Sequence, residues 1–146
     1  MSETLGYRLL RPGARAPVRT RPGDAAFDLL TDEAFTLEPG KRHRATTGVS
    51  IALQPEWAGL VVPRSGLAAN HGITLLNAPG LIDPNYRGEL MVVMHNAGDE
   101  PYAVHAGDRV AQLLIVRFAA TTLVELEELP PPPDDRAHQG FGSSGR

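Results

Sequence analysis

The sequence contains no cysteine, no long apolar run and almost no lysine. The absence of cysteine from its 146 residues excludes disulfides and thiolate metal sites. It also fits a reducing compartment, so we expect a cytoplasmic location. No stretch approaches the ~18 apolar residues of a membrane span. The N-terminus lacks a basic region followed by an apolar one, so neither a signal peptide nor membrane association is predicted.

Positive charge is scarce and consists almost entirely of arginine. Lys41 is the single lysine among 14 basic residues, and the net charge is -3. This balance argues against a nucleic-acid partner. A site for phosphate groups would have to use arginine, whose planar guanidinium can donate two hydrogen bonds to one phosphate.

The patterns that are present predict short β-strands. Apolar residues alternate in "TTGVSIALQ", "ELMVVMH" and "RVAQLLIVRF". In the last stretch, Gln112 is predicted to share a face with Val110, Leu114 and Val116. Turn signals such as "EPGK", "NAPG" and "HAGD" separate the stretches. Short strands with frequent turns are typical of an all-β antiparallel sandwich or barrel.

The composition changes at Pro130, which predicts two parts of the chain. The length suits one domain, and we assign residues 1–129 to a β domain. Residues 130–146 are predicted to form a flexible C-terminal arm, because a proline run is followed by a stretch rich in glycine and serine. Either the arm is a frayed terminus or it becomes ordered on a ligand.

The stretch "VVPRSGLAAN" is a candidate anion site at the start of a short helix. Arg64 supplies a cation, Ser65 a hydroxyl, and Gly66 allows close approach to the backbone. Ser65 is predicted to cap the helix and Gly72 to end it. The simpler interpretation is that Ser65 only caps and Arg64 is solvated. Neither a nucleophile elbow nor a phosphate-binding loop motif is present, so Ser65 is not a nucleophile candidate.

The stretch "LLNAPGLIDPNYRGEL" is a candidate catalytic segment. Asn77 and Gly80 predict a hairpin turn between apolar arms, and Asp83 follows Ile82 directly, with Tyr86 three residues later. A carboxylate held within hydrogen-bond reach of a water molecule can act as its general base. The simpler interpretation is that Asp83 only begins a turn with the proline after it.

Two further polar residues lie in apolar strand patterns. Asp28 in "DAAFDLLT" can support a hydrated metal ion or pair with an arginine. Gln112 needs a partner, because an unmade buried hydrogen bond costs ~1–3 kcal/mol. That partner is either the backbone, which is the simpler expectation, or a ligand. The five histidines show no metal-ligand spacing.

The arm carries residues suited to a nucleotide. Arg136, Ser143 and Ser144 can donate hydrogen bonds to phosphate oxygens. Phe141, between two glycines, can stack on a planar base, which contributes ~1–3 kcal/mol in analogous cases.

Five segments taken together resemble the five motifs of the trimeric dUTPases. The segments are, in chain order, "DAAFDL", "PRSGLA", "NAPGLIDPNYRGE", "GDRVAQLLI" and "RAHQGFGSSG". The resemblance extends from about Gly23 to the C-terminus. It implies a jelly-roll-like β fold and a homotrimer with shared active sites. It also implies Mg²⁺-dependent hydrolysis of dUTP to dUMP and pyrophosphate, which lowers dUTP and supplies dUMP for thymidylate synthesis.

The resemblance also implies a role for each candidate residue. Asp83 orients and deprotonates the attacking water, and Tyr86 packs against the deoxyribose. Asp28 helps to hold the hydrated Mg²⁺ through a bound water. The base is contacted by Asn77 and by the backbone around Gly80 and Ile82. The phosphates are held by Arg64, Ser65, Gly66 and Gln112. In the arm, Phe141 and Gly142 cover the base, while Arg136, Ser143 and Ser144 close over the phosphates.

The sequence departs from the family pattern at three positions. Ala26 replaces a glycine of the first motif, and Ala137 and Gln139 replace two glycines of the last. Fewer glycines make the arm stiffer. Two rival functions remain open at this point. One is a dCTP deaminase of similar fold, against which Tyr86 argues, and the other is a non-catalytic trimeric β module that binds a nucleotide or a protein.

Overall fold

The computed structural model describes residues 3–133, which form eleven strands and one helix. The strands are β1 (Gly6–Leu9), β2 (Ala26–Leu30), β3 (Phe35–Leu37), β4 (Arg42–Thr46), β5 (Val49–Ala52), β6 (Trp57–Val62), β7 (Ile73–Leu75), β8 (Gly80–Ile82), β9 (Met91–Asn96), β10 (Tyr102–Val104) and β11 (Arg109–Arg117). The helix is α1 (Ser65–His71), between β6 and β7. The prediction of an all-β fold with one short helix is confirmed.

Two larger sheets enclose the core. One has the strand order β2-β11-β6-β8 and the other β4-β9-β7, and every pairing is antiparallel. Two smaller sheets pair β1 with β5 and β3 with β10. Leu29 and Leu113 from the first larger sheet belong to the same buried cluster as Val92 and Met94 from the second. The side chains of two sheets therefore fill one shared core, as in a β-sandwich.

The predicted alternation is present in β9 and is interrupted in β11. Val92 and Met94 are buried, whereas Met91 is exposed. In β11 the register with β2 shifts between Arg109 and Ala111, and the neighbours Val110 and Ala111 are both buried. The single face predicted from Val110 onward is therefore interrupted, because a bulge places two consecutive residues inward.

The helix begins one residue earlier than the predicted cap at Ser65 requires. Arg64 is the N-cap, with extended backbone and no side-chain capping bond, and Ser65 is the first helical residue. The prediction that Ser65 caps the helix is wrong, because a capping side chain must lie on the non-helical residue before the first turn. Gly72 ends the helix as predicted, in the left-handed conformation with φ 68. A Cβ there would meet the backbone of Gly98.

The turn from Asn77 to Gly80 is present, but the predicted hairpin is not. Strand β7 pairs with β9, whereas β8 pairs with β6, so the flanking strands belong to different sheets. The segment therefore carries the chain from one layer of the sandwich to the other. Local composition marked the turn correctly, but strand partners are chosen by tertiary packing, which the local pattern does not contain.

The last strand ends at Arg117, and the described chain beyond it has neither helix nor strand. This stretch leaves several large apolar side chains exposed, namely Phe118, Leu123, Val124, Leu126 and Leu129. Between residues 3 and 133, no helix is both long enough and apolar enough to cross a bilayer.

Candidate active site

The first group of candidate residues surrounds the carboxylate of Asp28, and we call it the arginine cluster. Asp28 is 7% exposed. Arg64 Nε lies 3.6 Å from Asp28 Oδ1, and Arg109 Nε lies 3.5 Å from Asp28 Oδ2. Gln112 Nε2 donates to Oδ1 at 3.3 Å, and Thr20 Oγ1 donates to Oδ2 at 3.1 Å. The arginine cluster consists of these five residues.

Strand register explains why these residues meet. Gln112 lies opposite Asp28 on one side and opposite Val62 on the other, so three strands bring one row together. Arg64 follows Val62 by two residues, and its Nη1 donates to the carbonyl of Arg109 at 3.1 Å. The partner of Gln112 is thus a carboxylate and not the backbone. For Asp28, pairing with arginine is confirmed, and it occurs with two arginines.

The arginine cluster borders an open, polar cavity of about 310 Å³ that Arg64 and Arg109 line together with Tyr102. Arg64 and Arg109 supply guanidinium donors to this cavity, and the carboxylate residue Asp108 lines it as well. Burial and the nearby Asp108 raise the pKa of Tyr102, which keeps its phenol neutral. Phosphate oxygens suit such a set of fixed donors.

Ser65 and Gly66 adjoin the arginine cluster in sequence, in the first turn of α1. Both are exposed. A Cβ built on Gly66 would meet nothing within 4 Å, so the glycine faces open space. Within this chain, neither residue is used for packing, and both backbones are accessible to a ligand.

The second group of candidate residues, which we call the loop patch, consists of Asn77, Gly80, Ile82, Asp83 and Tyr86. Asp83 is exposed and follows β8 directly. The N–H of Tyr86 donates to the carbonyl of Asp83 at 3.1 Å, which confirms the predicted turn. Among the side-chain bonds of residues 3–133, none involves the Asp83 carboxylate.

A cavity of about 240 Å³ is lined by Asp83. Ile82, Tyr86 and Glu89 also line it. The Tyr86 hydroxyl donates to the carbonyl of Glu89 at 2.9 Å. Its ring lies against Gly88, where a Cβ would overlap the phenol. Tyr86 is therefore held at both its ring and its hydroxyl.

Asn77 and Gly80 form the other end of the loop patch. Asn77 is exposed and Gly80 is buried. A Cβ added to Gly80 would lie 3.5 Å from Asn77 Nδ2 and 3.4 Å from the Cβ of Val61. The Asn77 amide therefore lies beside the first residue of β8, at ordinary van der Waals distance from where a side chain at position 80 would begin.

The structure does not bring the arginine cluster and the loop patch into one cavity. The cavity beside Asp83 is lined by no member of the arginine cluster, and the one beside Arg64 is lined by no member of the loop patch. The candidates in the arm, Arg136, Phe141, Gly142, Ser143 and Ser144, lie outside the described residues. One chain, as described, supplies two separate parts of a site.

Sequence reasoning missed three residues that hold these parts. Arg109 and Thr20 bind Asp28, and Glu89 accepts the Tyr86 hydroxyl. A signal existed for Arg109, because it lies in the same "GDRVAQLLI" stretch as Gln112. No local signal existed for Thr20, since only the bridge between Val18 and Asp28 brings it near.

Comparison with known proteins places the chain in the class of jelly-roll β proteins that hydrolyse nucleotides. Within this class, the dUTPase family model matches residues 13–145, so the chain belongs to the dUTPase family. It is therefore an enzyme of the dUTP diphosphatase class. The resemblance and the jelly-roll-like fold expected from the sequence are both confirmed.

Relatives and solved structures agree with this assignment. The deoxyuridine 5'-triphosphate nucleotidohydrolase of Leifsonia xyli subsp. xyli is 50% identical over 146 residues, covering 99% of this chain and 93% of that protein. The protein of the same name from Thermobifida fusca is 45% identical over 139 residues, covering 94% of this chain and 76% of that protein.

Two phage structures are similar over most of their length. The dUTPase of Staphylococcus bacteriophage 80alpha with dUPNHPP has a TM-score of 0.93 at 27% identity, covering 99% of this chain and 100% of that chain. A mutant dUTPase from phage phi11 of S. aureus, described with a structural Mg(II) ion, has a TM-score of 0.83 at 26% identity, covering 88% of this chain and all of that one.

Proposed function

We propose that the protein hydrolyses dUTP to dUMP and pyrophosphate, with Asp83 as the general base for the attacking water. The supporting observation is the state of Asp83: an exposed carboxylate beside a cavity, with no side-chain partner in the described chain. A general base needs a carboxylate that is free to accept a proton from water. The turn that follows Asp83 holds its backbone carbonyl through the N–H of Tyr86.

The arginine cluster is proposed to bind the phosphate chain. Asp28 orients Arg64 and accepts one amide hydrogen of Gln112, while further N–H groups of both side chains remain for phosphate oxygens. Ser65 and Gly66 add a hydroxyl and accessible backbone. Donors that are oriented before the substrate arrives stabilise developing charge without reorganisation, which is an effective form of electrostatic catalysis.

The loop patch is proposed to bind the nucleoside. Asn77 and the backbone near Gly80 and Ile82 offer hydrogen bonds to the uracil edge, and mismatched groups on cytosine would be left unpaired there. Tyr86 is held by Gly88 and Glu89, so its ring makes a fixed wall. A fixed wall against the sugar leaves no room for a 2′-hydroxyl, which selects deoxyribose.

The active site is proposed to be shared between subunits of the homotrimer that the family implies. Its support is the separation of the arginine cluster from the loop patch on one chain. Leu76 and Leu81 are 54% and 63% exposed, which fits burial against another subunit. The arm residues Arg136 and Phe141 are proposed to close over the substrate. Mixing an inactive Asp83→Asn protein with an inactive Arg64→Ala protein, followed by refolding, should restore part of the activity if subunits share sites.

Magnesium fits the proposed site as a companion of the substrate. The described residues include no group of three or more His, Cys, Asp or Glu side chains that could hold a metal ion. Mg²⁺ is typically held by substrate phosphates and waters with one or two carboxylates. Asp28, whose oxygens already face four protein donors, fits an outer contact through a bound water. When bound, the ion would neutralise phosphate charge.

A pyrophosphate assay tests the proposed function. Purified protein is incubated with dUTP, UTP, dCTP and dTTP, each with Mg²⁺ or with a chelator, and ammonia release from dCTP is followed in parallel. Pyrophosphate from dUTP alone is expected, with its loss in the chelator. Intact dUTP in magnesium buffer would overturn the proposal, and ammonia from dCTP would favour the deaminase. Supply of dUMP for thymidylate synthesis and a cytoplasmic location are further parts of this proposal.

A further inference from the structure

Arg11, Asp32 and Glu89 form an ion-pair network that adjoins the loop patch, because Glu89 lines the same cavity as Asp83. None of the three belongs to either group of candidate residues. Arg11 Nη2 donates to Glu89 Oε1 at 2.5 Å, and Arg11 Nη1 donates to Glu89 Oε2 at 3.1 Å. Arg11 Nε donates to Asp32 Oδ2 at 2.6 Å. One guanidinium thus joins two carboxylates from distant parts of the sequence, and its bond to Glu89 uses both oxygens.

Both carboxylates have further fixed partners. Glu89 Oε1 also accepts the N–H of Gly48 at 2.7 Å, and Asp32 Oδ1 accepts the hydroxyl of Thr46 at 2.5 Å. Gly48 has φ 66, and a Cβ there would overlap Ala14 and the Asp32 carboxylate. The end of β4 and the turn that follows it therefore donate hydrogen bonds to both carboxylates of the network.

Glu89 links this network to the loop patch through its own backbone. Its carbonyl accepts the Tyr86 hydroxyl, and the next residue, Leu90, donates its N–H to Val49 O at 2.7 Å. The Glu89 side chain is 13% exposed, whereas that of Arg11 is 39% exposed. The peptide group that carries this acceptor is thus anchored by the Leu90 N–H, and the Glu89 side chain, held by Arg11, is a second anchor on the same residue.

We propose that Arg11 is a positioning residue for sugar selection. Its bidentate bond holds Glu89, and Glu89 holds Tyr86 in the orientation that excludes a 2′-hydroxyl. The inference rests on the proposed function of Tyr86 in the same site. Arg11 itself contacts no member of the loop patch through a side-chain bond among the described residues, so it acts only through Glu89. A planar guanidinium is suited to this role because its two parallel donors fix the direction of a carboxylate.

The experiment compares four single variants and one double variant with the wild-type protein. Arg11→Gln removes the charge, Arg11→Lys keeps the charge but not the two parallel donors, and Tyr86→Ala removes the wall itself. Arg8→Gln is the matched control, since Arg8 is exposed nearby and has no side-chain bond within residues 3–133. The readout is the ratio of kcat/KM for UTP to that for dUTP, measured by pyrophosphate release.

Arg11→Gln is expected to raise the ratio roughly 10-fold, because a small misplacement of a positioning group has large kinetic effects. Arg11→Lys should give a smaller increase, and Arg8→Gln none. In the double variant with Tyr86→Ala, Arg11→Gln should add no further change, since both act on one element. A purely structural role would lower kcat for both substrates equally and leave the ratio unchanged.

A second measurement does not depend on any nucleotide. Hydrogen exchange of the amides from residue 83 to residue 90 should accelerate in Arg11→Gln and remain at the wild-type rate in Arg8→Gln. If Tyr86→Ala changes the ratio and Arg11→Gln does not, the inference is overturned while the proposed function stands. Unchanged exchange also overturns it. If Arg11→Gln fails to fold, Glu89→Gln replaces it in both measurements with the same expected results.

Discussion

The arginine cluster and the loop patch differ in how their charges are satisfied. In the cluster, the Asp28 carboxylate is buried among two arginines, an amide and a hydroxyl, which strand pairing and the bridge between Val18 and Asp28 bring together. In the loop patch, the Asp83 carboxylate is exposed and has no side-chain partner in the described chain. A carboxylate whose partners come from the fold contributes to stability, and one left without partners is available to a ligand. Substituting Asp83 should therefore lower mainly turnover, whereas substituting Asp28 should also lower stability.

The largest effect is expected from Asp83→Asn. Loss of the proposed general base should reduce turnover of dUTP by roughly 10²–10⁴-fold, while dUTP still binds. Because the side chain has no partner to lose, the free energy of unfolding should change by no more than ~0.5 kcal/mol. Single-turnover pyrophosphate release and urea denaturation measure the two quantities. Normal turnover in this variant would remove Asp83 from the chemistry.

The next effect concerns the arm, which is proposed to supply groups that neither the cluster nor the patch has. Deletion of residues 134–146 removes Arg136 and Phe141 and should reduce turnover about 10²-fold, because the substrate loses charge stabilisation and is left open to solvent. The unfolding transition should stay unchanged. Deleting only Gly145 and Arg146 serves as the control and should retain activity. A fully active long deletion would return the arm to the simpler interpretation of a frayed terminus.

Asp28→Asn should reverse the pattern of Asp83→Asn. Removing the carboxylate leaves Arg64 and Arg109 facing each other, and both are partly exposed, so we expect a loss of about 1–2 kcal/mol in stability. Turnover should fall about 10-fold, because Arg64 loses its orientation. The control is Asp99→Asn, at an exposed residue without a side-chain partner among residues 3–133. A stability equal to wild type would mean that the cluster is not held by Asp28.

The sequence predicted most of what is local in this fold. Strand alternation in β9, the helix end at Gly72 and the turn after Asp83 all follow from the chemistry of neighbouring residues. The partners of the strands on either side of Asn77 were wrong, because a two-residue period specifies a face but not a neighbour. The bulge at Val110 was also not visible in the alternation.

The candidate site was predictable to the extent that single residues carry chemistry. Asp28, Arg64 and Gln112 were singled out separately, but only the register of β2, β11 and β6 shows that they form one cluster. Arg11 could not be found from the sequence, since 78 residues separate it from Glu89. Long-range ion pairs of this kind depend on the assembled topology, which local patterns do not encode.

The smallest expected effect is on the pH dependence of stability, and it concerns two carboxylates that line one cavity. Glu89 is paired with Arg11, whereas Asp83 has no side-chain partner in the described chain. The hydrogen bond from Arg11 lowers the pKa of Glu89 below its ordinary 4.5, against the opposing effect of burial. A lowered folded-state pKa contributes stability that is complete above the ordinary value and is lost as the pH falls through the folded value. Stability of the wild-type protein should therefore fall as the pH decreases below about 5.

In Glu89→Gln this acid dependence should weaken. On unfolding in acid, the variant would take up as much as about one proton fewer than the wild-type protein does. Its plot of stability against pH should therefore be flatter on the acid side. The gap from the wild-type protein should be widest at neutral pH and narrow toward pH ~3, measured by urea denaturation across that range. Glu38→Gln, at an exposed carboxylate without a side-chain partner in the described chain, should run parallel to the wild-type curve. If stability of Glu89→Gln depends on pH in the same way as that of the wild-type protein, the ion pair between Glu89 and Arg11 does not form in solution.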